Sequence, residues 1–284
     1  MPSSNAVVHL ADRTGILVTG KDRTSWLNGL VTQDLAKLGR GEAGYAFLVE
    51  KKGRIQADLF VLPSRNAEDA WLLAVPTDLR DGLLETLDHY LIMEDAEITT
   101  VDVPFWLALG DAELTASYGG KVRGIGTVLA GDGADAAAKA SGAIVDDEAW
   151  NALRIERGLP RWGVEVDTTL YPQEASLEDL AVSFDKGCYL GQEVVYMLQN
   201  RGHVKRKLVT LDLDGTVSPK DVVTTEAGDA VGEVKSAAIA PSNGKAVAIA
   251  MVKFAQSTPG TALRVGERHG TVRASERATA SERA

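Results

Sequence analysis

A chain of 284 residues with 45% hydrophobic side chains can bury more than one core, enough for one large domain or two to three small ones. Its formal net charge of −10 argues against broad nucleic-acid binding, while leaving a local basic cluster at Arg201, His203, Lys205, Arg206 and Lys207. The single cysteine excludes an intrachain disulfide; with no basic-then-apolar leader at the N-terminus and no run of about 18 apolar residues, the expected setting is reducing, cytoplasmic and free of membrane.

In chain order, residues 14–19 read as a short strand, and Gly20-Lys21-Asp22 as a turn. Asp22 caps a helix expected from Arg23 to about Leu38, where Trp26, Leu27, Leu30, Val31, Leu35 and Leu38 recur at helical spacing. Tyr45–Val49 and Ile55–Leu62 are two strands of a hairpin turned by Lys51-Lys52-Gly53-Arg54, with three cations in the turn. A polar loop at 63–69 precedes a strand at Trp71–Val75. Thr77 or Asp78 then caps an amphipathic helix reaching about Met93, with Leu79, Leu83, Leu84, Leu87, Tyr90 and Leu91 on its stripe. Strands are expected at Ala96–Asp102 and Phe105–Leu109, and short helices at Asp111–Tyr118 and Gly133–Ser141. The glycines at 119, 120, 124 and 126 between them read as a loop, since they lack the order and context of a dinucleotide fingerprint.

Asp146 or Asp147 caps a helix carrying Trp150, Leu153 and Ile155, with Gly158 as its C′ residue and Pro160 preventing continuation. Residues 159–185 form a long, partly irregular segment. After Gly202 the chain becomes a series of short strands at Lys205–Leu213, Asp221–Thr225, Ala230–Ala238, Ala246–Val252, Ala262–Val265 and Thr271–Ala274, separated by Gly-containing turns. This is the pattern of a small β-barrel. The last residues repeat Ala-Ser-Glu-Arg-Ala without an apolar face and read as disordered. The expected organisation is an α+β region over 1–203, a C-terminal β-barrel subdomain over 204–273 and a tail over 274–284.

The chemistry concentrates at 183–193, Ser-Phe-Asp-Lys-Gly-Cys-Tyr-Leu-Gly-Gln-Glu, which holds the only cysteine. Gly187 and Gly191 flank Cys188, Lys186 stands two residues before it, and a helical pattern starts near Glu193. A helix N-terminus and an ammonium both favour a thiolate, so Cys188 is a candidate nucleophile, redox group or metal ligand; the plain alternative is a small buried hydrophobe. The four histidines are scattered away from ligand spacing, which argues against a zinc site. Neither a Walker phosphate loop nor a G-x-S-x-G elbow is present.

Lys186-Gly187-Cys188-Tyr189-Leu190-Gly191-Gln192-Glu193 matches the K-G-C-Y-x-G-Q-E signature of the YgfZ family of folate-binding proteins, relatives of the glycine-cleavage T-protein (aminomethyltransferase). Trp26–Asp34 resembles that family's first helix, Lys52–Asp58 its hairpin, and Arg154–Pro160 with Trp162-Gly163 its R-x-E-x-G segment; Tyr171-Pro172-Gln173-Glu174 also fits. The resemblance covers about residues 10–265. It implies an α+β fold of three subdomains in a ring, with a central channel for a tetrahydrofolate and a small C-terminal barrel. It further implies a role in making or repairing iron–sulfur clusters, with folate and iron–sulfur client or assembly proteins as partners.

On this resemblance Cys188 and Lys186 are the key functional groups. Glu156 meets the donor edge of a pterin and Trp162 stacks on the ring or serves the core. Arg54, Lys51 and Lys52 meet the folate glutamate tail, and Asn28, Gln33 and Gln192 line the ligand site. One departure bears on activity. The T-protein has an acidic pair after its hairpin glycines where this chain has Ala57-Asp58, and aminomethyl transfer needs a carboxylate near the reacting folate nitrogens. Two other readings stay open: a true tetrahydrofolate-dependent C1 transferase, and a passive folate-binding module with Cys188 buried.

Overall fold

The computed structural model describes residues 5–66, 69–110 and 112–275. The expected disordered tail lies outside the described residues from 276 onward. The chain divides into two compact units, one made of 2–145 with 180–192, the other of 146–179 with 193–284.

The first unit contains β1 (Ala6–His9), β2 (Arg13–Thr19), α1 (Arg23–Asn28), β3 (Glu42–Val49), β4 (Ile55–Pro63), β5 (Trp71–Pro76), α2 (Arg80–His89), β6 (Glu97–Val101), β7 (Phe105–Ala108), β8 (Tyr118–Val122), β9 (Gly126–Ala130), α3 (Ala134–Ser141) and β10 (Ala143–Ile144). The strands form one ten-stranded sheet in the order β10-β1-β7-β9-β8-β3-β4-β5-β2-β6. Strand alternation sends Ala57, Leu59 and Val61 of β4, with Ala46 and Leu48 of β3, to one face, where they meet Trp26 and Leu27 of α1 and Leu83 and Leu87 of α2. Each fully buried leucine there contributes about 1.5–3 kcal/mol.

Four sequence expectations change in this unit. The helix from Arg23 ends at Asn28, and after it the chain turns along β3: Val31 bridges Leu48, and the Thr32 N–H donates to the Phe47 carbonyl at 3.0 Å. The expected apolar set is still buried through Leu35. However, Asn28 Oδ1 accepts from the Leu35 N–H and Asp34 Oδ1 from the Ala36 N–H, giving the backbone partners that compete with a helix. Asp22 uses its carboxylate on the Asp95 N–H rather than as a cap for α1.

Second, the helix expected to reach Met93 ends at His89, and neither Thr77 nor Asp78 caps it; a 3-10 turn at Thr77–Leu79 leads in instead. Third, residues 112–117 are not helical. Fourth, the glycine-rich loop is the β8–β9 hairpin. A Cβ on Gly120 would stand 2.6 Å from the Glu42 carbonyl carbon and 2.7 Å from the Ala43 nitrogen. Glycine is therefore what lets β8 lie parallel against β3 and join the two halves of the sheet.

The second unit starts with α4 (Asp147–Glu156), and includes α5 (Glu178–Ala181) and α6 (Gln192–Asn200), which carry the chain across the unit boundaries. Asp146 caps α4 through the Ala149 N–H at 2.9 Å, and Gly158 follows its C-terminus as expected. β11 (Arg206–Leu213), β12 (Val222–Thr224), β13 (Ala230–Ile239), β14 (Ala246–Lys253), β15 (Ala262–Val265) and β16 (Arg268–Val272) close a six-stranded barrel in the order β11-β14-β13-β12-β15-β16. Alternate residues fill it, with Ala246, Ala248 and Ala250 facing Val209, Leu211, Val234 and Leu263. Such small side chains suit the narrow interior of a six-stranded barrel. Among the described residues no helix is long and apolar enough to cross a membrane.

Candidate functional site

Cys188 is exposed, with the buried side chains of Lys186 and Tyr189 on either side of it. Lys186 is buried and donates its ammonium to three carbonyls, those of Asn28 at 2.7 Å, Val31 at 2.8 Å and Gln33 at 2.7 Å. The buried Tyr189 ring stands 5.2 Å from that ammonium. Burial pushes the Lys186 ammonium down to about 8, and pushes the Tyr189 phenol up. Next, the Leu190 N–H donates to the Gly29 carbonyl at 3.0 Å. Gly191, at φ +76°, leaves only 2.3 Å between a notional Cβ and the Glu50 carbonyl oxygen, so only glycine lets the segment rest on the β3–β4 hairpin.

This arrangement revises the sequence reasoning for an activated thiol while keeping the thiol accessible. The Lys186 donors are committed to backbone carbonyls. Cys188 also precedes Gln192, the first residue of α6, by four positions, so it lies ahead of the helix N-terminus. Gln192 joins the same turn: its N–H donates to the Tyr189 carbonyl at 3.2 Å and its Nε2 to the Gly187 carbonyl at 3.4 Å.

Asn28 and Gln33 do architectural work here. Gln33 Nε2 donates to the Leu180 carbonyl at 2.9 Å, and its Oε1 accepts from the Asp34 N–H and from the Ser183 hydroxyl. Thr32 Oγ1 adds a bond to the Ala181 carbonyl at 2.6 Å. Lys51 and Lys52 are exposed on the hairpin turn, with Arg54 at its far end. The two lysines border an open cleft of about 580 Å³ with Gln56, Glu85, His89 and Leu190.

The acid after the hairpin is taken. Ala57 is fully buried in the core, and Asp58 points to the opposite face. There Arg13 Nη1 and Nη2 donate to Asp58 Oδ1 and Oδ2 at 2.9 and 2.8 Å, and the Tyr45 hydroxyl donates to Oδ2 at 2.9 Å. Arg13 escaped the sequence reading, although a lone acid inside an apolar strand demands a cation.

In the second unit, the arginine and the acid of the R-x-E-x-G segment have different tasks. Arg154 is buried and holds both oxygens of Glu165 from Nη1, at 2.9 and 3.0 Å. Glu165 Oε2 also accepts from the Arg161 N–H at 2.8 Å. The pair pins the 157–166 loop, in which Trp162 is half-buried and bridges Val166. Glu156 is half-buried, and its Oε1 accepts from the Ser242 N–H at 3.2 Å and from the Ser242 hydroxyl. Glu156 Oε2 has no protein donor among the described residues, and Glu156 borders a cavity of about 430 Å³.

That cavity has an apolar wall of Leu208, Val209, Ile249, Phe254 and Pro259. Glu178 also lines it, with Oε1 on the Lys207 ammonium at 2.8 Å and Oε2 buried with no hydrogen-bond partner among the described residues. Volume and lining suit a small ligand. Glu156 Oε2, beside an apolar wall, offers an acceptor to a flat ring that carries N–H donors, as a pterin does. Sequence reasoning missed Glu178 and Lys207 as a pair; the only signal was their position beside the motif glutamate and at the first barrel strand.

Comparison with known proteins agrees with the architecture. The GCVT N-terminal domain family matches residues 4–107, and the glycine cleavage T-protein C-terminal barrel domain family matches residues 206–279. The tRNA-modifying protein YgfZ of Sodalis glossinidius is 26% identical over 243 residues, covering 74% of this chain and 73% of that one. An iron-sulfur cluster assembly factor IBA57 homolog, mitochondrial, of Aspergillus fumigatus is 25% identical over 276 residues, covering 77% of this chain and 62% of that one. The crystal structure of the glycine cleavage system aminomethyltransferase T from Bartonella henselae superposes with a TM-score of 0.78 at 19% identity, covering 96% of this chain and 86% of that one.

Proposed function

We propose that this chain, which belongs to the YgfZ family of T-protein relatives, is a folate-binding accessory protein for the assembly or repair of iron–sulfur clusters, with Cys188 as its working thiol. The observation that carries the proposal is the exposed Cys188 held between the buried Lys186 and Tyr189. A platform built to display one thiol suits a protein that touches a cluster or a client cysteine. One thiolate supplies one ligand where clusters usually have four, so the others come from the client or a second protein. A relative is named for tRNA modification; with a net charge of −10, the chain favours protein clients over direct contact with the RNA backbone.

A reduced folate fits the Glu156 cavity by the Glu156 acceptor oxygen and the apolar wall it meets there. When bound, it would supply a one-carbon carrier, the pterin ring nitrogen N5 together with N10 of the adjoining p-aminobenzoate linker. Glu156 would accept from the donor edge, Phe254 and Ile249 would cover the ring face, and the Lys207–Glu178 pair would border the site. The competing C1-transferase reading rests on the acidic pair that the T-protein carries after its hairpin, where this chain has Ala57-Asp58. Asp58 is engaged by Arg13 and Tyr45, which weighs against that role.

The deciding experiment is Cys188→Ala in cells that depend on this protein. Little packing is lost at an exposed site, so the variant should fold and melt like the wild type while iron–sulfur enzymes lose activity. Normal support by the alanine variant would remove Cys188 from the mechanism.

A further inference from the structure

We infer that Lys186 is the positioning residue of the thiol site: its ammonium draws three carbonyls of the 28–33 loop together and so fixes the segment that presents Cys188. The inference rests on Cys188 being the working thiol. An ammonium has three N–H donors, and here each has a carbonyl partner within 2.8 Å. The acceptors come from a stretch where the chain leaves α1 and stops making helical bonds, so without Lys186 their oxygens would lose that partner inside the protein. The dependence is mutual, because the same carbonyls make burial of the charge tolerable.

Cys188 sits two positions from this clamp and is bracketed on its other side by Tyr189, Leu190 and Gly191, each seated against the first unit. Proton transfer from Lys186 would strip a carbonyl of its donor, which separates a positioning role from acid–base work. Geometry also separates lysine from arginine. A planar guanidinium spreads its donors in a fork and cannot aim three of them at carbonyls converging on one point.

The single cysteine makes a clean test, since a nitroxide attached to it reports the order of this segment alone. Electron paramagnetic resonance of labelled wild type should show an immobile component. Lys186→Met and Lys186→Arg should both lose it while the circular dichroism of the protein is kept. An immobile label in either folded variant would overturn the inference. A second measurement needs no variant: in native hydrogen exchange the Ser183 and Leu190 amides, bonded to the Thr32 and Gly29 carbonyls, should exchange with the slow core. Exchange at unprotected rates would overturn the inference even if the variants fail to fold. A mobile label beside normal support of iron–sulfur enzymes by Cys188→Ala would leave the clamp standing and refute the role of the thiol.

Discussion

Arg13 grips Asp58 across 45 residues of sequence, one guanidinium nitrogen to each carboxylate oxygen, in a site where the two side chains are 7% and 4% exposed. Breaking such a pair strands a charge. Arg13→Met should therefore cost about 3–5 kcal/mol in urea unfolding, while a double Arg13→Met/Asp58→Leu variant should recover much of the loss. A cost for the single variant under about 1 kcal/mol, typical of an exposed pair, would show that the pair is solvated.

The same pairing bears on catalysis. The protein should form no methylenetetrahydrofolate when given the aminomethylated lipoyl carrier of the glycine system and tetrahydrofolate. Ala57→Asp should not restore transfer either. Its side chain would enter a fully buried core position and destabilise the fold. Robust product from the wild type would promote the transferase reading over the accessory one.

Tetrahydrofolate should raise the melting temperature, because a ligand of the native state alone stabilises it, by about 2.7 kcal/mol at a hundredfold excess over Kd. Glu156→Ala should weaken binding at least about tenfold, the value of roughly 1.4 kcal/mol for one lost charge-assisted bond. Titration calorimetry with no heat at millimolar ligand would take folate out of the proposal.

Stability should also report on Lys186. Burial holds its ammonium down to about 8, against 10.5 in the unfolded chain, with Asp34 pulling the other way. Between these values the unfolded chain binds the extra proton, so this group's contribution to stability rises with pH across the window and is flat below it. The wild type should gain on Lys186→Met between pH 8 and 10.5. Tyr189, held up by burial, stays neutral in the folded chain through it, and the charge that faces the ammonium is Asp34, itself paired with Lys37 at 3.5 Å. A constant difference would mean that the three carbonyls keep the ammonium charged throughout.

The barrel and the β3–β4 hairpin were legible because strand alternation and turn residues are local signals. The six strands after Gly202 fall close to where Gly and Asp turns place them. The helix at 23–38 was misread because Leu30, Val31 and Leu35 are buried as a helical stripe would bury them, yet Val31 pairs with Leu48. That choice was made by long-range partners, which periodicity does not contain. The glycines at 119–126 read as a loop for the same reason: what they accommodate is a neighbouring strand some 80 residues earlier. At the site, the motif located Cys188, but the sequence placed Lys186 beside the thiol when its ammonium turns to the 28–33 loop.

The return of residues 180–192 to the first unit has a consequence for synthesis. When the first 145 residues have left the ribosome, the Asn28, Val31 and Gln33 carbonyls still lack the Lys186 ammonium, and Thr32 and Gln33 still lack Ala181 and Leu180. The seam closes only after residue 192 has emerged, once α4 and the loop behind it already exist. Folding of the nascent chain is thus interleaved rather than sequential. A fragment ending anywhere before 180 would carry an open seam, however well its sheet forms.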